Sequence, residues 1–204
     1  MRISRSVTAL AGAGGVTVFL AAVTALHLLP TGLDPIGRTI SEYVDEPYGR
    51  LLPLAGLGIG LGSLAVAHAL APLITRPALI ALTVWGLAML VVAAVPTDPA
   101  PPGRPVTLTT AGTVHLTAGA IAFLALPAAA VLITRTTPPA YRMLRILGYA
   151  TPFALLLFLL TLTNRPPISR LIGEPIAYGL GERLMITVYC AWLLAAAFRA
   201  LPKP

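Results

Sequence analysis

Long apolar stretches alternate along this chain with short segments that hold nearly all of its charge. Six stretches stand out, at residues 7–29, 49–71, 78–95, 112–134, 146–162 and 182–200, each bounded by Pro, Gly or a charged residue. A helix rises 1.5 Å per residue and the hydrocarbon layer is roughly 30 Å thick, so each stretch is long enough to cross a bilayer. The pattern predicts an all-α protein, a bundle of six transmembrane helices forming one integral membrane domain over residues 1–204. Arg2 and Arg5 precede the first stretch as they would in a signal peptide. That stretch is too long for an ordinary signal sequence and has no convincing small-residue cleavage site, so it reads as a retained anchor.

Composition agrees. Apolar residues make up 57% of the chain and charged residues 10%, with a mean hydropathy of +0.86, too little polar surface to cover a core in water. The net charge of +7 does not point to a nucleic-acid partner, because the basic residues are single, spaced arginines without a contiguous patch. Cys190, the one cysteine, lies within the last apolar stretch, which excludes an intramolecular disulfide and a CxxC metal site.

Charge also orients the chain. With the N-terminus placed in the cytoplasm, the inner segments carry Arg2, Arg5, Arg76, Arg135, Arg142, Arg145, Arg199 and Lys203, and no acid. The outer segments carry Arg38, Arg50, Arg104, Arg165, Arg170 and Arg183 with all seven acids, Asp34, Glu42, Asp45, Glu46, Asp98, Glu174 and Glu182. Eight inner cations against six outer ones favour this orientation in a bacterial plasma membrane, with both termini cytoplasmic.

Small residues suggest how the helices meet. Association in lipid cannot draw on the hydrophobic effect, so close backbone approach matters, and the second span offers Gly56, Gly58, Gly60, Gly62 and Ser63 opposite Gly12, Gly14 and Gly15 of the first. These are expected to join neighbouring spans rather than mark a dimer face. Pro127 and Pro152 fall inside the fourth and fifth spans, where each removes a backbone donor and is expected to bend its helix.

The outer loops have some pattern of their own. Asp34 suits an N-cap and Pro35 the first helical position, and Ile36, Ile40, Tyr43 and Val44 then share a face, predicting a short helix in the headgroup layer that ends at Pro47. Ile168, Leu171 and Ile172, stopped by Glu174 and Pro175, repeat this style before the last span. Pro99, Pro101, Pro102 and Pro105 predict an extended connection before the fourth.

Groups able to do chemistry collect at the outer surface: His27 in the last turn of the first span, Asp98 after the third, His115 in the first turns of the fourth, and Glu182 and Arg183 opening the sixth. Ser41, Glu42 and Tyr43 lie in the adjoining loop. Asp98, His115, Glu182 and Glu42 are the candidates for acid–base catalysis, and His27, His115 and Asp98 could ligate a divalent metal at the outer surface. Tyr43, Ser41, His27 and Arg183 are the candidates for holding a lipid or other ligand. No HExxH, GxSxG or phosphate-cradling loop accompanies them. The plainer alternative is that polar residues sit at span ends because water is there, with Glu182 and Arg183 in exposed ion pairs and the histidines on loop carbonyls. The face formed by Glu182, Met185, Tyr189 and Trp192 reads first as packing. No ionisable residue falls near the middle of a span, which disfavours ion-coupled transport. An uncharged path lined by Thr17, Thr24, Thr117 and Thr161 would still serve a neutral solute.

At these positions the chain resembles a bacterial family known as domain of unknown function 998. The likeness rests on Ile40-Ser41-Glu42-Tyr43 with Pro47-Tyr48-Gly49, on Pro96-Thr97-Asp98, on Thr110, Gly112 and His115, and on Glu182-Arg183, in this order relative to six spans. Relatives often have Phe before the Pro-Thr-Asp element, where this chain has Val95. The resemblance implies a six-helix membrane protein without an assigned activity. More distantly, the layout is similar to a membrane family that includes eukaryotic lipid-remodelling and autophagy-modulating proteins, a likeness of fold that carries no reaction across. The leading expectation is therefore a non-transporting membrane protein whose outward site contacts lipid headgroups or an envelope partner. A membrane-embedded lipid hydrolase or transferase, and a facilitator for a neutral solute, are the alternatives.

Overall fold

The computed structural model describes residues 4–99, 107–162 and 178–201. Within them the chain forms six long helices: α1 (Arg5–Leu28), α2 (Leu51–Leu70), α3 (Arg76–Ala94), α4 (Thr110–Arg135), α5 (Arg142–Leu162) and α6 (Tyr178–Ala200). All six are long and apolar enough to cross a membrane. The protein is a multi-pass membrane protein. Large apolar side chains such as Leu10, Leu61, Leu87, Leu124, Phe153 and Phe198 are exposed around the bundle, where lipid solvates them.

Local chemistry sets the helix ends. Ser4 caps α1 by accepting a hydrogen bond from Val7 N at 3.3 Å, and Thr109 caps α4 by accepting from Gly112 N at 3.1 Å. Pro77 occupies the first turn of α3, where its missing N–H costs nothing. Pro127 and Pro152 sit inside α4 and α5 without ending either helix.

Consecutive helices pack side by side from α1 to α6, and α6 closes the ring by packing on α1 as well as on α5. It also touches α2, and these two are the most buried of the six helices. The side chains of α6 show this. Met185, Tyr189, Trp192 and Leu193 have no exposed surface, the Tyr189 ring meets Trp85 of α3 edge-on at 5.8 Å, and its hydroxyl donates to Phe123 O of α4 at 2.9 Å.

The glycines of α2 work on two faces. A Cβ on Gly15 would meet the backbone of Gly58 and Gly62, so α1 and α2 touch backbone to backbone, while Gly56 and Gly60 admit Ala93, Leu90 and Gly86 of α3. The expected joining of neighbouring spans is what these residues do. Gly14 faces open space.

The α1–α2 connection contains the short interfacial helix as a 3-10 helix, Ile40–Asp45. Its tighter period explains which residues it buries. With three residues per turn, Ile40 and Tyr43 point inward together, while Ile36 is 44% exposed and Val44 half-buried. The face expected of an α-helix running from Asp34 is therefore not the face that is used. Asp34 instead holds a preceding turn, accepting from Ile36 N at 3.0 Å and Gly37 N at 2.9 Å. The elements expected at Ile168, Leu171, Ile172, Glu174 and Pro175, and most of the connection at 99–105, lie outside the described residues.

Candidate functional site

Two polar groups stand at the acidic end of the bundle, defined by the α1–α2 loop, the end of α3 and the starts of α4 and α6. The larger is built where the loop lies on α6. Gly179 makes this approach possible, since a Cβ there would collide with Arg38 O, and Leu180 N donates to Ile36 O at 3.0 Å. Because α6 begins at Tyr178, Glu182 lies in its second turn rather than opening it. That shift buries it. Glu182 is only 7% exposed and its Oε2 accepts from Ile40 N at 2.6 Å, satisfying a free amide at the start of the 3-10 helix.

Arg183 points the other way. Its Nε donates to His27 Nε2 at 2.6 Å, and its Nη1 donates to Arg38 O at 2.6 Å and Gly179 O at 2.9 Å. The guanidinium stands 5.7 Å from the centre of the Tyr43 ring, which also lies 5.4 Å from the His27 ring. No carboxylate lies within ion-pair distance of Arg183 among the described residues, and its buried Nη2 has no hydrogen-bond partner. The exposed ion pairs expected of Glu182 and Arg183 are thus replaced by a buried carboxylate on an amide and an arginine on neutral acceptors. Arg38 and Glu42 form an ion pair across one turn. Ser41 Oγ shares a 3.1 Å hydrogen bond with Thr39 Oγ1.

His27 is fully committed. Its Nδ1 lies 2.6 Å from Val23 O, which can only accept, so Nδ1 carries the proton and Nε2 is left to receive the Arg183 N–H. Neither nitrogen then has a free lone pair for a metal.

The second group joins α3 to α4. Asp98 accepts from Thr109 N at 2.8 Å and Thr109 Oγ1 at 2.7 Å, and a Cβ at Gly112 would strike its carboxylate. His115 is 8% exposed and its Nδ1 donates to Val95 O at 2.7 Å. These contacts tie the end of α3 to the first turns of α4. The structure therefore brings Glu42, Tyr43, Ser41, His27, Glu182 and Arg183 into one neighbourhood and Asp98 with His115 into another. Among the described residues no hydrogen bond or ion pair links the two, and no three His, Cys, Asp or Glu side chains gather as a metal site.

Several partners were invisible in the sequence. Arg38 O, Gly179 O and Val95 O act through the backbone, where side-chain identity gives no signal. Arg199, in the sequence one cation of the inner end, donates through its guanidinium to Thr137 Oγ1 at 2.9 Å and stands 5.8 Å from the Tyr141 ring centre. It fastens the far end of α6 as Arg183 fastens the near one. The i, i+4 spacing of Arg38 and Glu42 was a readable signal. Of the threonines considered for a solute path, Thr17, Thr24 and Thr117 are exposed, beside exposed Val18, Val114 and Leu116, and Thr161 donates to Phe158 O at 2.6 Å.

No curated protein and no solved structure matches the chain. Residues 13–199 match the family described as "Protein of unknown function (DUF998)", a span that runs from within α1 to the last turn of α6 and includes both polar groups. The chain is a multi-pass membrane protein of the DUF998 family.

Proposed function

We propose that this protein is a non-transporting plasma-membrane protein, both termini in the cytoplasm, whose outward-facing acidic end contacts phospholipid headgroups around Arg183. The excess of cations at the opposite end supports the orientation. The observation that carries the headgroup reading is Arg183 itself. It is a half-buried cation at the acidic end of the bundle, held by neutral acceptors and without a carboxylate partner among the described residues. His27 beside it is exposed and holds the guanidinium in place, while Tyr43 backs the pair from within the bundle.

The lipid hydrolase or transferase reading has less support. Its candidates do not converge: Asp98 and His115 stand in one group and Glu42 and Glu182 in the other, with no hydrogen bond or ion pair between the groups among the described residues, and both nitrogens of His27 are taken. A facilitator has less still, because the threonines it needs do not meet between helices.

Two measurements test the proposal. An impermeant maleimide should label Asp45→Cys in intact cells and Arg135→Cys only after permeabilisation, and the reverse pattern overturns the orientation. Phospholipid retained by the purified protein through detergent exchange should fall in Arg183→Gln while the variant stays folded. Unchanged retention overturns the headgroup contact.

A further inference from the structure

An open cavity of about 500 Å³ lies beside the start of α2, lined by Val44, Glu46, Tyr48, Gly49, Arg50 and Leu51. It is outside the Arg183 cluster, and its size falls in the ~300–1,000 Å³ range of small-molecule sites. Two features mark it. Glu46 and Arg50 are four residues apart and line the same space, yet they do not pair with each other, and neither side chain forms an ion pair or hydrogen bond with any described residue. Opposite charges that share a cavity without meeting leave room for a ligand that carries both. Tyr48, between them in the chain, has φ +68°, a left-handed conformation that non-glycine residues rarely adopt, and it lines the same cavity. Gly49 allows the turn, since a Cβ there would collide with Tyr43 O and Val44 O.

The surface leading away from the cavity is apolar. Leu54, Leu57 and Leu61 are 57%, 42% and 58% exposed, and with Arg50 they fall at the helical spacing of a single outward face running down α2. A ligand with a charged head at Arg50 and a hydrocarbon tail along this stripe satisfies both ends.

We propose that this cavity holds the headgroup of an amine-bearing phospholipid of the phosphoethanolamine type. The Arg50 guanidinium takes its phosphate, the Glu46 carboxylate its ammonium, and the Leu54, Leu57 and Leu61 stripe one acyl chain. A primary ammonium fits better than a quaternary one, because a carboxylate can accept its N–H bonds and one tyrosine does not make an aromatic cage. This inference rests on the reading above that the acidic end meets phospholipid headgroups, and adds to it a selective site at the start of α2.

The full-length protein, exchanged into micelles containing equal phosphatidylethanolamine, phosphatidylcholine and phosphatidylglycerol, is repurified and its bound lipid quantified by mass spectrometry. Wild type should hold phosphatidylethanolamine about fivefold above its offered share, the ratio that ~1 kcal/mol gives. Glu46→Gln should remove that preference, Glu46→Lys should turn it toward phosphatidylglycerol, and Arg50→Gln should lower all three. Arg50 is exposed and Glu46 half-buried, and an unchanged melting temperature shows that each variant is folded. Retention in the offered proportions, or a preference that survives Glu46→Gln, overturns the inference while leaving general headgroup contact standing. Retention of no lipid by the wild type overturns both. Displacement of the bound lipid by an equal amount of soluble glycerophosphoethanolamine also overturns it, since the acyl chain would then contribute nothing.

Discussion

Arg183 and His27, 156 residues apart, share a 2.6 Å hydrogen bond in which the imidazole accepts and the guanidinium donates. Two groups often written as cations are compatible here because Val23 O fixes the histidine proton on Nδ1. The bond closes the start of α6 onto the end of α1, and the remaining Arg183 donors hold the α1–α2 loop across the same joint.

Removing the guanidinium should therefore cost more than removing the imidazole. Arg183→Gln is expected to lower stability in detergent by about 1.5–3 kcal/mol and His27→Ala by about 0.5–1.5 kcal/mol, the ranges for charged and ordinary hydrogen bonds. The double variant should lose less than the sum, because the two changes share one bond. Strict additivity in the unfolding measurements would show that the pair is not coupled.

Glu182 offers a cleaner separation of charge from geometry. Glu182→Gln keeps a carbonyl oxygen for Ile40 N, whereas Glu182→Ala leaves that buried amide without its acceptor, a loss of about 1–3 kcal/mol. Amide exchange over residues 39–46 should accelerate in the alanine variant and change little in the glutamine variant. Equal acceleration in both would mean that the carboxylate charge, not the hydrogen bond, holds the loop.

The contact between α1 and α2 can be tested with two neighbouring glycines. Gly15→Ala forces its methyl group against the backbone of Gly58 and Gly62 and should destabilise by about 1–3 kcal/mol, as overpacking does. Gly14→Ala meets nothing and should be neutral or stabilising by up to about 1 kcal/mol through helix propensity. Thermal unfolding of the two variants decides, and similar melting temperatures would refute the close approach.

Asp98 is expected to act on the start of α4. Asp98→Ala releases Thr109 N and Thr109 Oγ1 and should cost about 0.5–2 kcal/mol, the range for losing a helix cap, with faster amide exchange confined to residues 109–113. Asp98→Asn keeps one acceptor and should fall between the variant and wild type. Loss of a lipid-directed activity without faster exchange would instead restore Asp98 as a catalytic candidate.

At the centre of the bundle Trp85 Nε1 donates to Ser63 Oγ at 2.7 Å. Interhelical hydrogen bonds in lipid average only about 0.6 kcal/mol, so Ser63→Ala should shift unfolding little. A loss near that of Arg183→Gln would show that this pair, rather than the loop joint, organises the core.

How far the sequence could be read depended on whether a feature was local. Six runs of apolar residues are enough to fix six helices, because in hydrocarbon every backbone amide must be satisfied within its own segment and few other structures do so. The glycines of α1 and α2 announced a close approach for the same reason: a missing side chain is visible in the sequence. The conformation of the α1–α2 loop was less legible. A period of 3.0 and one of 3.6 diverge by less than a residue over Ile40 to Tyr43, so the buried face could not be chosen before α6 supplied the surface against which it packs.

The sequence by itself therefore determined the medium, the number of crossings and the end at which the carboxylates gather, since each follows from the solvation of single residues. Only the tertiary structure decided that Glu182 is buried on Ile40 N, that Arg183 turns to His27, and that Asp98 and His115 secure α4 apart from them. Those choices depend on backbone carbonyls and amides brought together from distant helices, and such groups are the same in every residue until the fold selects which of them meet.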